Sequence, residues 1–427
     1  MQGQIEKKLD QFFGSESFVK ESVRERYKHL SEFFGPYNKD INNRSIQVVT
    51  VAGSNGKGQS CHQLAKILSQ NGKKCAIWTS PHIKSVCERF SYRDQPISEK
   101  ELLAIIDLSL KKIPQNLKLS YYEFLFFCFL EWCQTLEVEV LILEVGLGGR
   151  FDTVNMIDPS FCGVVSISRD HCEILGNRYD QILFEKLGIT RPGVPLVTSF
   201  QLNYLRSLCL HHCTKFEIPF EDIIENDPTL SLKNYSFRNF QLASKLALKV
   251  LGQEKLDVPS HSVEEGILGH GRGERMTLSG EEFIFLGTHN LDGLRQIFQR
   301  FNWILSQYNR CAPLHILCGL SSRGSKDIEQ MLKAIKMFWG EDYPVQLCSF
   351  DHPRSLNILE VEKLGEKFSF NATSNYSETI QDKNKRNYLV IGSYFFVGEI
   401  KKYIDSLCTD HHAYQKSTGP GRTHICL

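Results

Sequence analysis

Two kinds of hydrophobic pattern alternate along the chain. Short unbroken apolar runs, "IQVVTVAG", "KCAIWTS", "VEVLILEVG", "FCGVVSIS" and "VPLVTS", are separated by stretches with apolar residues three and four apart, such as "CHQLAKILSQNG" and "SEKELLAIIDLSLKKI". The unbroken runs read as strands covered on both faces, and the longer period reads as amphipathic helix. Their alternation predicts an α/β fold on a mainly parallel sheet. A helical pattern closed by glycine, "LSLKNYSFRNFQLASKLALKVLG", ends this series; after "VPSHSVEEGILGHGRGERMTLSGE" it restarts with "EFIFLG", "PLHILCGL", "VQLCSF" and "NYLVIGS". The expected organisation is a large P-loop-type domain over 1–280, a smaller Rossmann-like α/β domain over 281–407, and a polar tail over 408–427 expected to be disordered.

Composition narrows the function. Of 427 residues, 41% are hydrophobic and 23% charged, and 50 Lys plus Arg against 49 Asp plus Glu leave a net charge of +1. Such a balance gives no footprint for nucleic acid or an acidic membrane, so small molecules are the expected partners. The start "MQGQIEKKLDQFFG" lacks an apolar run behind a basic cluster, and nowhere do about 18 apolar residues run together. A cytoplasmic monomer without membrane contact is expected. Fourteen cysteines lie scattered in apolar segments, as reduced core thiols would. "CLHHC" at Cys209 to Cys213 lacks a second half-site in nearby sequence, which argues against zinc.

The candidate chemistry begins at "TVAGSNGKGQS", Thr50 to Ser60. The strict phosphate-loop pattern fails, because Val51 stands at its first glycine position and Gly58 follows the lysine. The physical parts are nonetheless present: a strand, a turn holding Gly53, Gly56 and Gly58, the cation of Lys57, and a helix N-terminus. A purely structural turn would need the glycines but gives no reason for the lysine. Polar residues stand where neighbouring strands end: Thr79 and Ser80 in "AIWTSPH", Glu144 in "VLILEVGLGGR", and Asp170 with His171 in "VVSISRDH". Strand ends of one sheet are where a phosphate-binding fold gathers metal ligands.

These residues carry a resemblance. "VAGSNGKG", "TSPH", "ER" at Glu88 and Arg89, "YYEFL", "EVGLGGRFDTVN", "DHCEILG", "EKLGITRPGVP", "GRGERM", "GTHN" and "IGSYFFVGE" resemble, in order and spacing, the folylpolyglutamate synthase and dihydrofolate synthase family of the ATP-dependent Mur ligase superfamily, over roughly residues 45–400. The resemblance implies that Gly53, Ser54, Asn55, Gly56, Lys57 and Gly58 wrap the ATP phosphates, with Lys57 on the terminal ones. Ser80 and Glu144 would hold one Mg2+ and His171 would help hold a second. Lys186 would be carbamylated, turning a repelled ammonium into an anionic oxygen ligand; the plain alternative is a salt bridge to Glu144 or Asp170. Arg272 would reach ATP, and His289 with Asn290 would open the second domain. The implied reaction phosphorylates a pterin or folate carboxylate and joins L-glutamate to the acyl phosphate. Residues 79 to 93 and Tyr121 to Phe124 are expected as loops seating the pterin.

Departures bear on the nucleotide. Gln59 stands where the family has Ser or Thr, Leu286 replaces an Asp, and Ser325 precedes Lys326 and Asp327 in place of another Asp. "DTVN" keeps Asp152 and Asn155, Leu187 replaces an alanine, and Asn239 is a candidate nucleotide contact whose register is open. Weaker ATP binding is expected. Two rivals stand beside this reading: a ligase of the same superfamily with another carboxylate substrate, and a non-catalytic nucleotide-binding protein.

Overall fold

The computed structural model describes residues 2–13, 23–200, 202–232, 235–256, 272–308, 312–322, 324–340, 342–381, 386–410, 414–416 and 424–426. The chain divides into two compact units, Met1–Ser260 and His261–Leu427.

The first unit is built on strands β1 (Gln47–Ala52), β2 (Cys75–Trp78), β3 (Phe90–Tyr92), β4 (Gln95–Pro96), β5 (Val140–Glu144), β6 (Phe161–Val164), β7 (Leu196–Thr198) and β8 (Phe220–Asp222). They form one sheet in the order β4-β3-β2-β5-β1-β6-β7-β8. All pairings from β2 to β8 are parallel, while β3 and β4 run antiparallel on one edge. The unbroken apolar runs have the expected cause, since successive residues of β1 serve opposite faces. Val49 and Val51 pack with Ile142 beneath helices Lys57–Gln70 and Tyr235–Leu251, whereas Val48 and Ala52 join Leu141 and Leu143 against helix Tyr121–Gln134. Phe124, Phe126, Phe127 and Phe129 of that last helix are fully buried. Each such side chain contributes about 1.5–3 kcal/mol by leaving water.

Helix Tyr121–Gln134 also corrects an expectation. Tyr121 to Phe124 form its first turn and not a loop, closed by a capping box in which Ser120 accepts from the Glu123 N–H and Glu123 accepts from the Ser120 N–H. From β1 the chain crosses to β2, leaving the space between them to β5, and later places β6 on the other side of β1. The carboxyl end of β1 is thus a topological switch point, where open α/β sheets form their ligand crevice.

The second unit carries β9 (Arg272–Leu278), β10 (Glu281–Gly287), β11 (Leu314–Gly319), β12 (Val345–Cys348), β13 (Asn371–Thr373), β14 (Asn387–Gly392), β15 (Tyr414–Lys416) and β16 (His424–Cys426). Their order is β13-β12-β11-β14-β10-β9-β16-β15. From β13 to β10 the pairings are parallel. β9 is joined to β10 by the turn Ser279-Gly280, both residues at positive φ as a tight hairpin needs. This hairpin strand falls within 1–280, yet it pairs in the second sheet. Within 408–427, a helix that starts at Tyr394 runs to Asp410, and β15 and β16 extend the sheet along the outer edge of β9. The rest of that stretch lies outside the described residues.

Among the described residues eleven cysteines are free, all buried except Cys172, while Cys408 is disulfide-bonded, against the expectation of thiols throughout. Cys209 and Cys213 face the core from helix Asn203–Lys215, where a hydrogen bond with Cys213 and burial push the Cys209 thiol up. Among the described residues no helix is long and apolar enough to cross a membrane.

Candidate active site

The glycine-rich turn follows β1 directly and opens helix Lys57–Gln70. Gly56 has φ 90°, and a Cβ there would stand 2.3 Å from the Tyr235 hydroxyl and 2.4 Å from Asn239 Nδ2. Gly53 has φ 150° and a Cβ would meet Val165 Cγ2 at 2.3 Å. Both the left-handed backbone and the close approach demand glycine here.

The turn is braced by the segment after β6. The Ser54 N–H donates to the Ser166 carbonyl (2.8 Å) and the Asn55 N–H to Ser166 Oγ (2.9 Å). Ser54 Oγ donates to the Ser168 carbonyl (3.1 Å) and accepts from the Ser168 N–H (2.9 Å). Asn55 Nδ2 donates to Ser168 Oγ at 3.1 Å. The Ser54 and Asn55 backbone donors are therefore spent on the protein itself. The N–H groups of Lys57, Gly58 and Gln59 open the helix, where no intrahelical acceptor exists, an arrangement able to receive an anion. Lys57 Nζ donates to the carbonyls of Gly53 (3.1 Å) and Ser54 (3.4 Å), so its ammonium stands over the turn. Ser166 and Ser168 were illegible as braces, because nothing near them in sequence signals a partner more than a hundred residues away.

Register places the acidic group. Val51 pairs with Glu144 across β1 and β5, so the carboxylate stands two residues before Gly53 on the adjacent strand. Glu144 is 2% exposed, and its Oε2 accepts from the Ser80 N–H at 2.9 Å. The loop after β5 is organised by buried Asp152, which accepts from the N–H groups of Leu147 (2.8 Å) and Val154 (3.0 Å). Tyr122 donates to Asp152 at 3.3 Å and accepts from Trp78 Nε1 at 3.2 Å. Burial raises the Asp152 carboxyl to about 6 in spite of these donors. Asn155 braces the same loop by donating to the carbonyls of Arg150 and Gly188.

Lys186, 3% exposed in helix Tyr179–Leu187, donates from Nζ to the Gly53 carbonyl at 3.0 Å. Among the described residues no ion pair joins it to Glu144 or Asp170. Burial, and then the neighbouring Lys57 ammonium, lower its amine to about 7. Asp170 is buried and His171 half-exposed, with His171 Nε2 3.9 Å from Asp170 Oδ2 and Nδ1 3.8 Å from Glu173 Oε1. The first unit thus gathers the turn 53–58, Ser80, Glu144 and Lys186 at the ends of adjoining strands.

The remaining predicted residues belong to the second unit. His289 and Asn290 follow β10; Asn290 caps helix Leu291–Gln299 by accepting from the Gly293 N–H at 2.8 Å, and the His289 ring lies 5.7 Å from that of Tyr394. Arg272 is the first residue of β9, and its side chain lies outside the described residues.

No protein-family model matches the chain. A dihydrofolate synthase/folylpolyglutamate synthase of Bacillus subtilis is 25% identical over 400 residues, covering 84% of this chain and 91% of the relative. The protein of that name in Escherichia coli is 26% identical over 379 residues, covering 84% and 87%. Over most of its length the chain is similar to folylpolyglutamate synthases and dihydrofolate synthases. A structure of E. coli FolC in complex with ADP superposes with a TM-score of 0.70 at 21% identity, covering 95% of this chain and 97% of that one. Another, a bifunctional folylpolyglutamate synthase/dihydrofolate synthase with Mn, AMPPNP and L-glutamate bound, gives 0.71 at 21% identity, covering 94% and 98%. These two likenesses concern the fold.

The departure at Gln59 has a structural counterpart. Its Nε2 donates to Ser236 Oγ (3.2 Å) and its Oε1 accepts from Asn239 Nδ2 (2.7 Å). Gln59 therefore ties the first turn of the loop helix to helix Tyr235–Leu251 and brings Asn239 to the glycine turn. Leu286, the other departure, sits near the end of β10, opposite Ile391 of β14.

Proposed function

We propose that this chain is an ATP-dependent ligase that adds L-glutamate to the carboxylate of a pterin substrate, dihydropteroate or a folyl-glutamate, through an acyl phosphate. The observation that carries this reading is the convergence of the lysine-bearing glycine turn, the Ser80–Glu144 pair and buried Lys186 at one switch point. The relatives' names and the ADP- and AMPPNP-bound structures of the same fold support it.

In this reading the open helix N-terminus and Lys57 bind and orient the triphosphate, an arrangement suited to phosphoryl transfer, which asks for positioning and charge neutralisation. The donor set fits a divalent cation. The Glu144 carboxylate is buried, and an oxygen-donor site of this kind suits Mg2+. A bound metal would supply neutralisation of phosphate charge. Ser80 and Glu144 would hold one ion, with His171 and Lys186 contributing to a second. Arg272 and Asn290 are proposed as nucleotide-binding residues and His289 as a catalytic one.

Lys186 is proposed to be carbamylated. An amine lowered to about 7 is substantially neutral at physiological pH, which is the form that attacks carbon dioxide. Its nitrogen forms a bond to the carbon of CO2, one proton is released, and the product is an anionic carbamate. An unmodified ammonium at this place would repel a metal.

The test is glutamate-dependent ADP release by the purified protein with ATP and magnesium. Release with dihydropteroate or tetrahydrofolate, and none with a cell-wall nucleotide precursor, is expected. Release only with another carboxylate would move the chain to another branch of the superfamily, and binding of ATP without turnover on any pterin would make it a nucleotide-binding module.

A further inference from the structure

Arg89 is buried, and among the described residues no carboxylate forms an ion pair with it. It ends the short helix Val86–Arg89, leads into β3, and is 6% exposed. Its Nε donates to His82 Nδ1 at 2.9 Å, and its guanidinium carbon stands 5.7 Å from the centre of the Tyr121 ring. Among the described residues, no carboxylate or carbonyl accepts from its two terminal Nη groups. A structural guanidinium taken out of water normally fills its fork with such acceptors, because an uncompensated buried charge is expensive.

Its surroundings are built to hold it. The Arg89 carbonyl accepts from the Thr79 N–H at 3.2 Å, which fixes its backbone beside the residue that precedes Ser80. The Glu88 carboxylate accepts from three successive N–H groups, those of Ile83 (2.8 Å), Lys84 (3.0 Å) and Ser85 (3.0 Å), and locks the loop that carries His82. Burial works against the guanidinium's charge, and Tyr121, Tyr122, Glu144 and Glu88 act electrostatically in its favour.

We propose that Arg89, held by His82 and the Tyr121 ring, receives the carboxylate of the acceptor substrate and holds it beside the Ser80–Glu144 pair for activation. The inference rests on the ligase reading above. A guanidinium whose Nε is already engaged offers its outer edge as a two-pronged donor matched to a carboxylate. Burial strengthens the contact, since little water screens it.

The experiment compares binding of pteroate and of its carboxamide analogue to the wild-type chain, Arg89→Gln and Arg89→Lys, alongside glutamate-dependent ADP release. Wild type should prefer the carboxylate, and Arg89→Gln should lose about 30-fold or more of that preference, as truncating one partner of a buried charge pair does. Arg89→Lys should keep part of it, and affinity for a fluorescent ATP analogue should change little in either variant, which shows that each is folded. An unchanged carboxylate preference in folded Arg89→Gln overturns the inference while leaving the ligase reading intact. Wild type that neither binds pteroate nor releases ADP overturns both.

Discussion

Lys186 Nζ donates to the carbonyl of Gly53 across 3.0 Å, joining the helix after β6 to the turn after β1. The contact puts a buried amine beside the glycine-rich turn that also carries Lys57. Burial first, and then the opposing Lys57 ammonium, lower the Lys186 amine to about 7.

Carbamate formation at Lys186 should follow the neutral amine, rising across pH 6 to 8, because the fraction without a proton grows through the lowered value of about 7. A carbamate signal from carbon-13 bicarbonate by NMR, absent in Lys186→Met, checks it. Linkage gives a second readout in carbonate-free buffer. The unfolded chain keeps this proton up to 10.5, whereas the folded chain sheds it near 7. Between those values the unfolded state binds more protons, so wild-type stability should climb with pH relative to Lys186→Met and run level with it below pH 7. Parallel curves throughout would contradict the lowered amine.

Glu144→Gln keeps an oxygen that can accept from the Ser80 N–H but removes the charge. Stability should change little, whereas activity should drop at least about 10-fold and the magnesium requirement should rise, since even outer partners of a metal ligand carry effects of that size. A magnesium titration of ADP release decides it, and an unaltered titration would remove Glu144 from the metal site.

Gly56→Ala forces a side chain into a left-handed position already occupied by Tyr235 and Asn239. A loss of about 1–3 kcal/mol in stability is expected, with ATP binding abolished. Urea unfolding and nucleotide titration read the two effects separately. Normal ATP affinity in this variant would mean that the turn is not the phosphate cradle.

The strands around the site were legible because β1, β5 and β6 are buried on both faces and therefore read as unbroken apolar runs. The polar residue at each strand end was legible for the same reason, as the first break in the run. Strand β9 was harder: in "RGERMTL" only Met276 and Leu278 point into the core, and buried Lys401 pairs with Glu274, a long-range contact that sequence does not announce. Tyr121 to Phe124 read as a loop although "SYYE" carries a capping signal, which the dense run of aromatic residues masks. Arg89 stood in a quoted motif without a role, because its meaning lies in the absence of a carboxylate ion pair among the described residues and only coordinates show that.

Gln59→Ala severs the ties to Ser236 and Asn239 and leaves the glycine turn in place. The ATP KM should rise about 5-fold, the equivalent of one net hydrogen bond of ~1 kcal/mol, while the acceptor KM stays put. Steady-state kinetics with each substrate varied in turn separates the two constants. A lower ATP KM would instead mean that Gln59 holds Asn239 away from the nucleotide.

The acyl phosphate makes the most direct test of the whole account. Dihydropteroate labelled with oxygen-18 in its carboxylate is incubated with the protein, ATP, magnesium and L-glutamate, and both products are weighed. The expected result is one labelled oxygen in the released phosphate, with a pterin product heavier by one glutamyl residue that retains the other label. Phosphate released without label, or label that never leaves the pterin, would contradict it.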